Sequence, residues 1–236
     1  MTTTDVLQKA RLDGRTLLTE VESKELIQES GIPVVETRLA RSKAEAVRMS
    51  QEMGLPVVLK IVSPDVVHKS DVGGVKVGLE SVSQVRTAYD SILSSTRTAV
   101  PSASILGVSV QRMAEPGVEV IIGATKDPQF GHVILFGLGG ILVELLKDVS
   151  MRLVPLTARD ARVMIREIKS LPLLQGYRQY PPCDLDSLEE AILNLSRFLE
   201  NHPEIKELDL NPVLCYPKGL VAVDARVVLE EPSPAL

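Results

Sequence analysis

Three strand-like runs follow one another at residues 105–113, 118–125 and 132–136, after an opening in which helix and strand alternate. That change of rhythm constrains the 236-residue chain more than any single motif. It calls for an α+β (α/β) protein of two lobes rather than one uniform layer. The expected division is an N-terminal extension at 1–18, a first lobe at 19–103, a second at 104–231 and a tail at 232–236.

The opening is punctuated clearly. Thr19 and Glu22 have the T-x-x-E spacing of a capping box before a helix over 20–30, and Gly31 supplies its stop. A short strand is expected over 33–39. Ser42 and Glu45 repeat the capping signal for a helix ending near Met53, with Gly54 beyond it. The β-branched run 56–62 reads as a buried strand, the polar stretch 63–74 as a loop, and 75–79 as the returning strand. Residues 84–93 place Val85, Ala88, Tyr89 and Ile92 on one helical face.

Beyond the three strand-like runs, Gly137-Leu138-Gly139-Gly140 breaks the pattern before a short helix through Leu146. Thr157 caps a helix over 158–169, Pro181-Pro182 marks a linker, and 187–200 is amphipathic. Strands over 208–216 and 220–229, joined by a Pro217-Lys218-Gly219 turn, close the chain.

The chain has no Trp and only 3% aromatic residues, so its core is packed from Val, Leu, Ile and Ala. Parallel or mixed sheets covered by helices have that character. A net charge of −5 without a basic stripe argues against nucleic acid as partner. It permits an anionic ligand where a few Lys or Arg gather. Cys183 and Cys215 lack metal-type spacing and read as reduced thiols. Residues 1–14 hold no apolar signal region, and no run of eighteen apolar residues suits a membrane; the expected location is cytoplasmic.

Lys60 is the first chemical anomaly, an ammonium inside an apolar strand. Unpaired burial would cost several kcal/mol, so the group snorkels, pairs with a carboxylate, or faces a phosphate. The next loop, His68-Lys69-Ser70-Asp71-Val72-Gly73-Gly74, combines donors with glycines that admit close approach of backbone to ligand. It has neither the Walker order nor G-x-G-x-x-G. Near the far end, Asp209 and Asn211 alternate with Leu208 and Leu210, which puts both on one strand face, and Asp224 on the next strand can lie opposite. Two or three oxygen ligands with open positions suit Mg²⁺.

In this order and spacing the chain resembles the ATP-grasp fold, specifically the β-type subunit of NDP-forming acyl-CoA synthetases. The resemblance runs from the helix at Glu20 to about Leu229. Its marks are Lys60, the loop from His68 to Gly78, the stretch 111–123, and the Asn211/Asp224 pair. It implies two α+β lobes with the nucleotide cleft between them. Lys60 and Lys69 would contact the phosphates of ATP or ADP. The backbone of residues 108–113, Gln111 and Met113 among them, would read adenine, and Glu119 would hold the ribose. Asn211 and Asp224 would bind Mg²⁺, with Asp209 orienting a phosphorylated histidine. His68 would itself become a phosphohistidine, and an imidazole nitrogen is a competent nucleophile.

The implied reaction is acyl-CoA + ADP + phosphate ⇌ acid + CoA + ATP, run with a CoA-binding α subunit in an α2β2 assembly. Glycine-rich 136–140, with Glu144, Asp148 and Arg152, also fits the subfamily, without an assigned role. The chain departs in lacking the extra C-terminal domain of succinyl-CoA-forming relatives, and in having Gln111 where some relatives carry an acid. Two other readings use the same motifs: a stand-alone ATP-grasp carboxylate–amine ligase, and a non-catalytic nucleotide-sensing subunit.

Overall fold

A computed structural model describes residues 3–66, 68–140, 148–178 and 180–231. The chain divides into two compact units. The first takes Met1–Leu18, Glu22–Val34 and Pro116–Leu236; the second takes Thr19–Val21 and Val35–Glu115. Each follows from its own hydrophobic pattern.

In the second unit, β1 (Thr37–Ala40), β2 (Val57–Val62), β3 (Val75–Leu79) and β4 (Gly107–Arg112) form one sheet in the order β1-β4-β2-β3. Every pairing in it is antiparallel. Two helices cover one face: α3 (Lys43–Met53) and α4 (Val82–Ala99). Ser42 caps α3 by accepting from the Glu45 amide, and Ser81 caps α4 by accepting from that of Gln84. The alternation of β2 sends Val57, Leu59 and Ile61 into this core with Val108, Val110, Val85 and Ile92. Lys60 and its partner across the ladder, Ser109, therefore share the opposite face, as do Val58 and Gln111. The boundary expected at 103/104 falls inside this unit, because β4 is inserted between β1 and β2.

In the first unit, β5 (Val118–Asp127), β6 (Gly131–Leu138), β7 (Val149–Leu153), β8 (Ile205–Cys215), β9 (Leu220–Ala222) and β10 (Arg226–Leu229) form an antiparallel sheet. Its order is β10-β8-β5-β6-β7, with β9 also paired to β8. The core lies on one face, where Val120, Ile122, Ile134, Phe136, Leu208 and Leu210 are buried. Against it pack residues of α1 (Thr3–Leu12), α2 (Glu20–Glu29), α5 (Ala158–Glu167), α6 (Leu171–Leu174) and α7 (Leu185–Asn201). Residues of β5 and β8 that alternate with the core set point to the other face.

Several expectations change. Both sheets are antiparallel rather than parallel or mixed, and an aliphatic core served equally well because one face of each sheet is layered with helices. Residues 1–18 are no extension apart from the fold: α1 buries Val6, Leu7 and Ala10, and the Leu18 amide donates to the Val227 carbonyl at 3.0 Å. Strand β7 was not expected. It is an edge strand whose one buried side chain is Ser150, so the apolar alternation that would reveal it is absent. The helix expected through Leu146 lies outside the described residues. Among those described, no helix is long and apolar enough to cross a membrane.

Cys183 and Cys215 are free and buried, as expected for thiols, but they also meet. A hydrogen bond between them favours the Cys183 thiolate and pushes the Cys215 thiol up.

Candidate active site

Lys60 resolves its anomaly with a partner forty residues earlier. Its ammonium donates to Glu20 Oε1 at 2.7 Å, with 8% and 1% of the two side chains exposed. Lys69 reaches the other oxygen of the same carboxylate, Nζ to Oε2 at 3.1 Å. One buried carboxylate thus lies between two ammoniums, all three within the second unit. Glu20 was not singled out in the sequence; it stood inside a helix-start signal, where an acidic residue needs no further explanation. Its neighbour Glu22, expected in the capping box, is forked by Arg15, with both oxygens at 2.9 Å.

His68 sits in the β2–β3 connection, one residue before Lys69, and is exposed. This segment is folded back on β2: the Gly74 amide donates to the Lys69 carbonyl at 2.8 Å, and the Ile61 amide to that of Gly74 at 2.7 Å. A Cβ on Gly74 would stand 2.6 Å from Ile61 Cγ2 and 2.8 Å from the Lys69 carbonyl oxygen, so only glycine fits. The structure therefore brings together Lys60, Lys69 and the His68 backbone.

Gln111 is fully flanked, opposite Thr37 on one side and Val58 on the other, with its side chain buried. Met113 lies past the end of β4, partly exposed, and its amide donates to the Pro56 carbonyl at 3.2 Å. Of the stretch expected to read adenine, Met113 is the part beyond the ladder.

On the first unit, β5, β8 and the connection between β9 and β10 carry the remaining expected residues. Glu119 lies on β5 opposite Leu214, and its carbonyl accepts from the Gly139 amide at 2.7 Å. The glycine pair has a reason: a Cβ on Gly139 would come within 2.9 Å of Glu119 Cβ. Gly140, at φ +67°, would carry one 3.0 Å from Glu119 Oε2. Residues 139–140 are thus a seat for Glu119, a link that the stretch 120–138 hides in the sequence. Asp148 and Arg152 are structurally occupied: the former accepts from the Lys169 and Ser170 amides, and the latter pairs with Glu167 at 2.6 Å. Ile141 and Glu144 lie outside the described residues.

Asp209 faces Gly123 across one ladder and Arg226 across the other. Register is the same on either side of residues 223–225, with Asp209 opposite Arg226 and Val213 opposite Ala222. Continued between them, it puts Asn211 across from Asp224. The Val223 amide donates to the Pro212 carbonyl at 2.9 Å, which holds this crossing closed. Opposite Ile121 the β8 ladder shifts register, and this irregularity carries Asn211. Burial pushes the Asp209 carboxyl up; Arg226 pulls it down and Asp224 pushes it further up. A hollow of about 360 Å³ opens beside it, lined by Ile121, Gly123, Met151, Asp209 and Arg226 among others.

Among the described residues no three of His, Cys, Asp and Glu gather as a metal cage. The donors here are two carboxylates and an amide, with Asp209 crowded by the Asp224 charge. That set fits a hard cation which keeps water and phosphate oxygens in its shell.

A sequence model described as the ATP-grasp domain matches residues 9–229. The β subunit of an ADP-forming acetate–CoA ligase of Pyrococcus furiosus is 46% identical over 225 residues, 95% of this chain and 97% of that one. A solved structure of dinucleotide-forming acetyl-coenzyme A synthetase 1 from Ca. Korarchaeum cryptofilum, in complex with coenzyme A and Ca-AMPCP, superposes with a TM-score of 0.95. It is 52% identical and covers 97% of this chain and 100% of its own. Another structure of that protein holds coenzyme A and Mg-AMPPCP, with its phosphohistidine segment pointing towards the nucleotide binding site. It has a TM-score of 0.86, 48% identity and the same coverage. Fold and likeness over nearly the full length agree, and the chain belongs to the ATP-grasp family as a β subunit of the ADP-forming acyl-CoA synthetases.

Proposed function

We propose that this chain is the nucleotide-handling, phosphoryl-transfer subunit of an ADP-forming acyl-CoA synthetase, an acid–thiol ligase. It works with a CoA-binding α subunit in an α2β2 assembly. The observation that carries the reading is the pair of ammoniums, Lys60 and Lys69, gathered on one buried carboxylate at the root of the loop that bears His68. A protein concentrates cations beside an exposed imidazole when the group to be handled is an anion.

In the direction of ATP use, a nitrogen of His68 bonds to the γ-phosphorus as the bond to the β,γ-bridging oxygen breaks and ADP leaves. Lys60 and Lys69 offset the charge that grows on the phosphoryl oxygens. The main chain from Met113 onward contacts the base, and Glu119, seated on Gly139 and Gly140, holds the ribose hydroxyls. Asn211 and Asp224 would hold Mg²⁺, which when bound neutralises phosphate charge and orients the chain of phosphates. Asp209 accepts a hydrogen bond from the phosphorylated imidazole and fixes its ring. Transfer to ADP is the reverse, with phosphate arriving from the acyl phosphate formed on the α subunit.

The test uses the intact chain and γ-³²P ATP. Label is expected in an acid-labile, base-stable form, and His68→Asn is expected to remove it while leaving nucleotide binding in place. With the α subunit present, the same variant is expected to form no acyl-CoA. Full turnover by His68→Asn would end the relay reading.

A further inference from the structure

Resting on the phosphohistidine reading above, we propose that Glu20 is a positioning residue. Its carboxylate fixes the Lys69 ammonium, and through it the His68 loop, beside Lys60. The side chain has the reach and the rigidity for this. Only 1% of it is exposed, and its two oxygens are divided between Lys60 at 2.7 Å and Lys69 at 3.1 Å. The two contacts differ in kind. Lys60 is buried on a central strand, whereas the Lys69 side chain is 22% exposed and belongs to a connection.

Lys69 is thereby held at both ends. Its carbonyl accepts from Gly74, whose own carbonyl accepts from Ile61 on β2, and its ammonium is held by Glu20. His68, the preceding residue, inherits that fixed point. The charge arrangement gives a second reason for the carboxylate. Two ammoniums drawn to one site repel one another, and the Glu20 carboxylate between them offsets that repulsion. A histidine placed within reach of a phosphoryl group reacts far faster than one sampling many positions.

The experiment compares the wild type, Glu20→Gln, Lys69→Ala and the double variant as intact chains. It measures the initial rate of label incorporation from γ-³²P ATP across ATP concentrations. Each single change is expected to lower the maximal rate tenfold or more while shifting the half-saturating ATP concentration less than threefold. The double variant is expected to fall no more than threefold below the weaker single one, because both changes cut the same tether.

Hydrogen exchange of amides at 68–74 is expected to speed up in Glu20→Gln and in Lys69→Ala. The second variant serves where loss of the buried anion prevents folding. Wild-type rates in Glu20→Gln, fully additive losses in the double variant, or unchanged exchange in Lys69→Ala would each overturn the proposal. A wild-type chain that takes no label would instead sink the phosphohistidine reading, while the exchange comparison still judges the tether.

Discussion

Replacing Lys60 with Met separates the two duties of that lysine. Met is close in length and apolar, so the change removes the ammonium and leaves the stem's packing. What remains is the Glu20 carboxylate, 1% exposed and held by Lys69 at 3.1 Å. Breaking a buried pair costs about 3–5 kcal/mol. Because Lys69 still offsets part of the charge, the lower end applies, about 3 kcal/mol. In a chain of this size each kcal/mol moves Tm by about 2–4 °C, so a fall of about 6–12 °C is expected by calorimetry.

The double variant Lys60→Met, Glu20→Leu removes the stranded charge as well and is expected to regain most of that loss. Neither variant is expected to gain stability from MgATP. The wild type should gain about 2.7 kcal/mol at a hundredfold excess over its dissociation constant. Recovery of stability without recovery of the nucleotide response is the decisive pattern. A Lys60→Met protein within about 1 kcal/mol of wild type, roughly a third of the expected loss, or a double variant less stable than the single one, would refute the buried-pair argument.

Gly139→Ala is expected to raise the half-saturating ATP concentration several-fold without lowering Tm comparably, because the new methyl pushes on Glu119 from 2.9 Å; unchanged ATP dependence in a steady-state assay would disprove the seat. Asp209 binds its proton more tightly in the folded protein than in the unfolded chain, since burial raises its carboxyl, so keeping it ionised at neutral pH costs stability. Asp209→Asn is accordingly expected to raise Tm at neutral pH, the gain shrinking as pH falls through the raised range down to the ordinary carboxylate value and staying flat below it; a gain that grew on acidification in thermal melts would contradict that sign.

How much of this was legible depended on whether the determining contact was local. Ser42 accepts from the Glu45 amide just as its spacing promised, and Thr157 with Asp160 forms a reciprocal box. Helices α3 and α5 could therefore be read nearly to the residue. The strand identity of β2 was equally plain from its β-branched run, and so was the strangeness of Lys60 within it. What could not be read was the answer to that strangeness, since Glu20 lies forty residues away and carries an ordinary helix-start role. Glu119 and the glycines at 139 and 140 illustrate the same limit: the glycines advertised a break, not the side chain they accommodate. Helix α1 was hidden by its polarity, with Val6, Leu7 and Ala10 as its only buried apolar residues. The turn at Pro217-Lys218-Gly219 was foreseeable, but the expected strand over 220–229 is broken into β9 and β10 with Asp224 between them, and neither that break nor the shift in β8 that carries Asn211 could be read.

The interleaving of the two units has a consequence for biosynthesis. All four strands of the smaller sheet have been synthesised by residue 115, together with Glu20, before the first strand of the larger sheet begins at Val118. The smaller unit can thus pair its strands while translation continues. Helices α1 and α2, although made earliest, bury Val6, Leu26 and Ile27 against strands that end at Leu229. The oldest part of the nascent chain is therefore among the last to find its place, and its apolar face is what a chaperone would have to shield in the meantime.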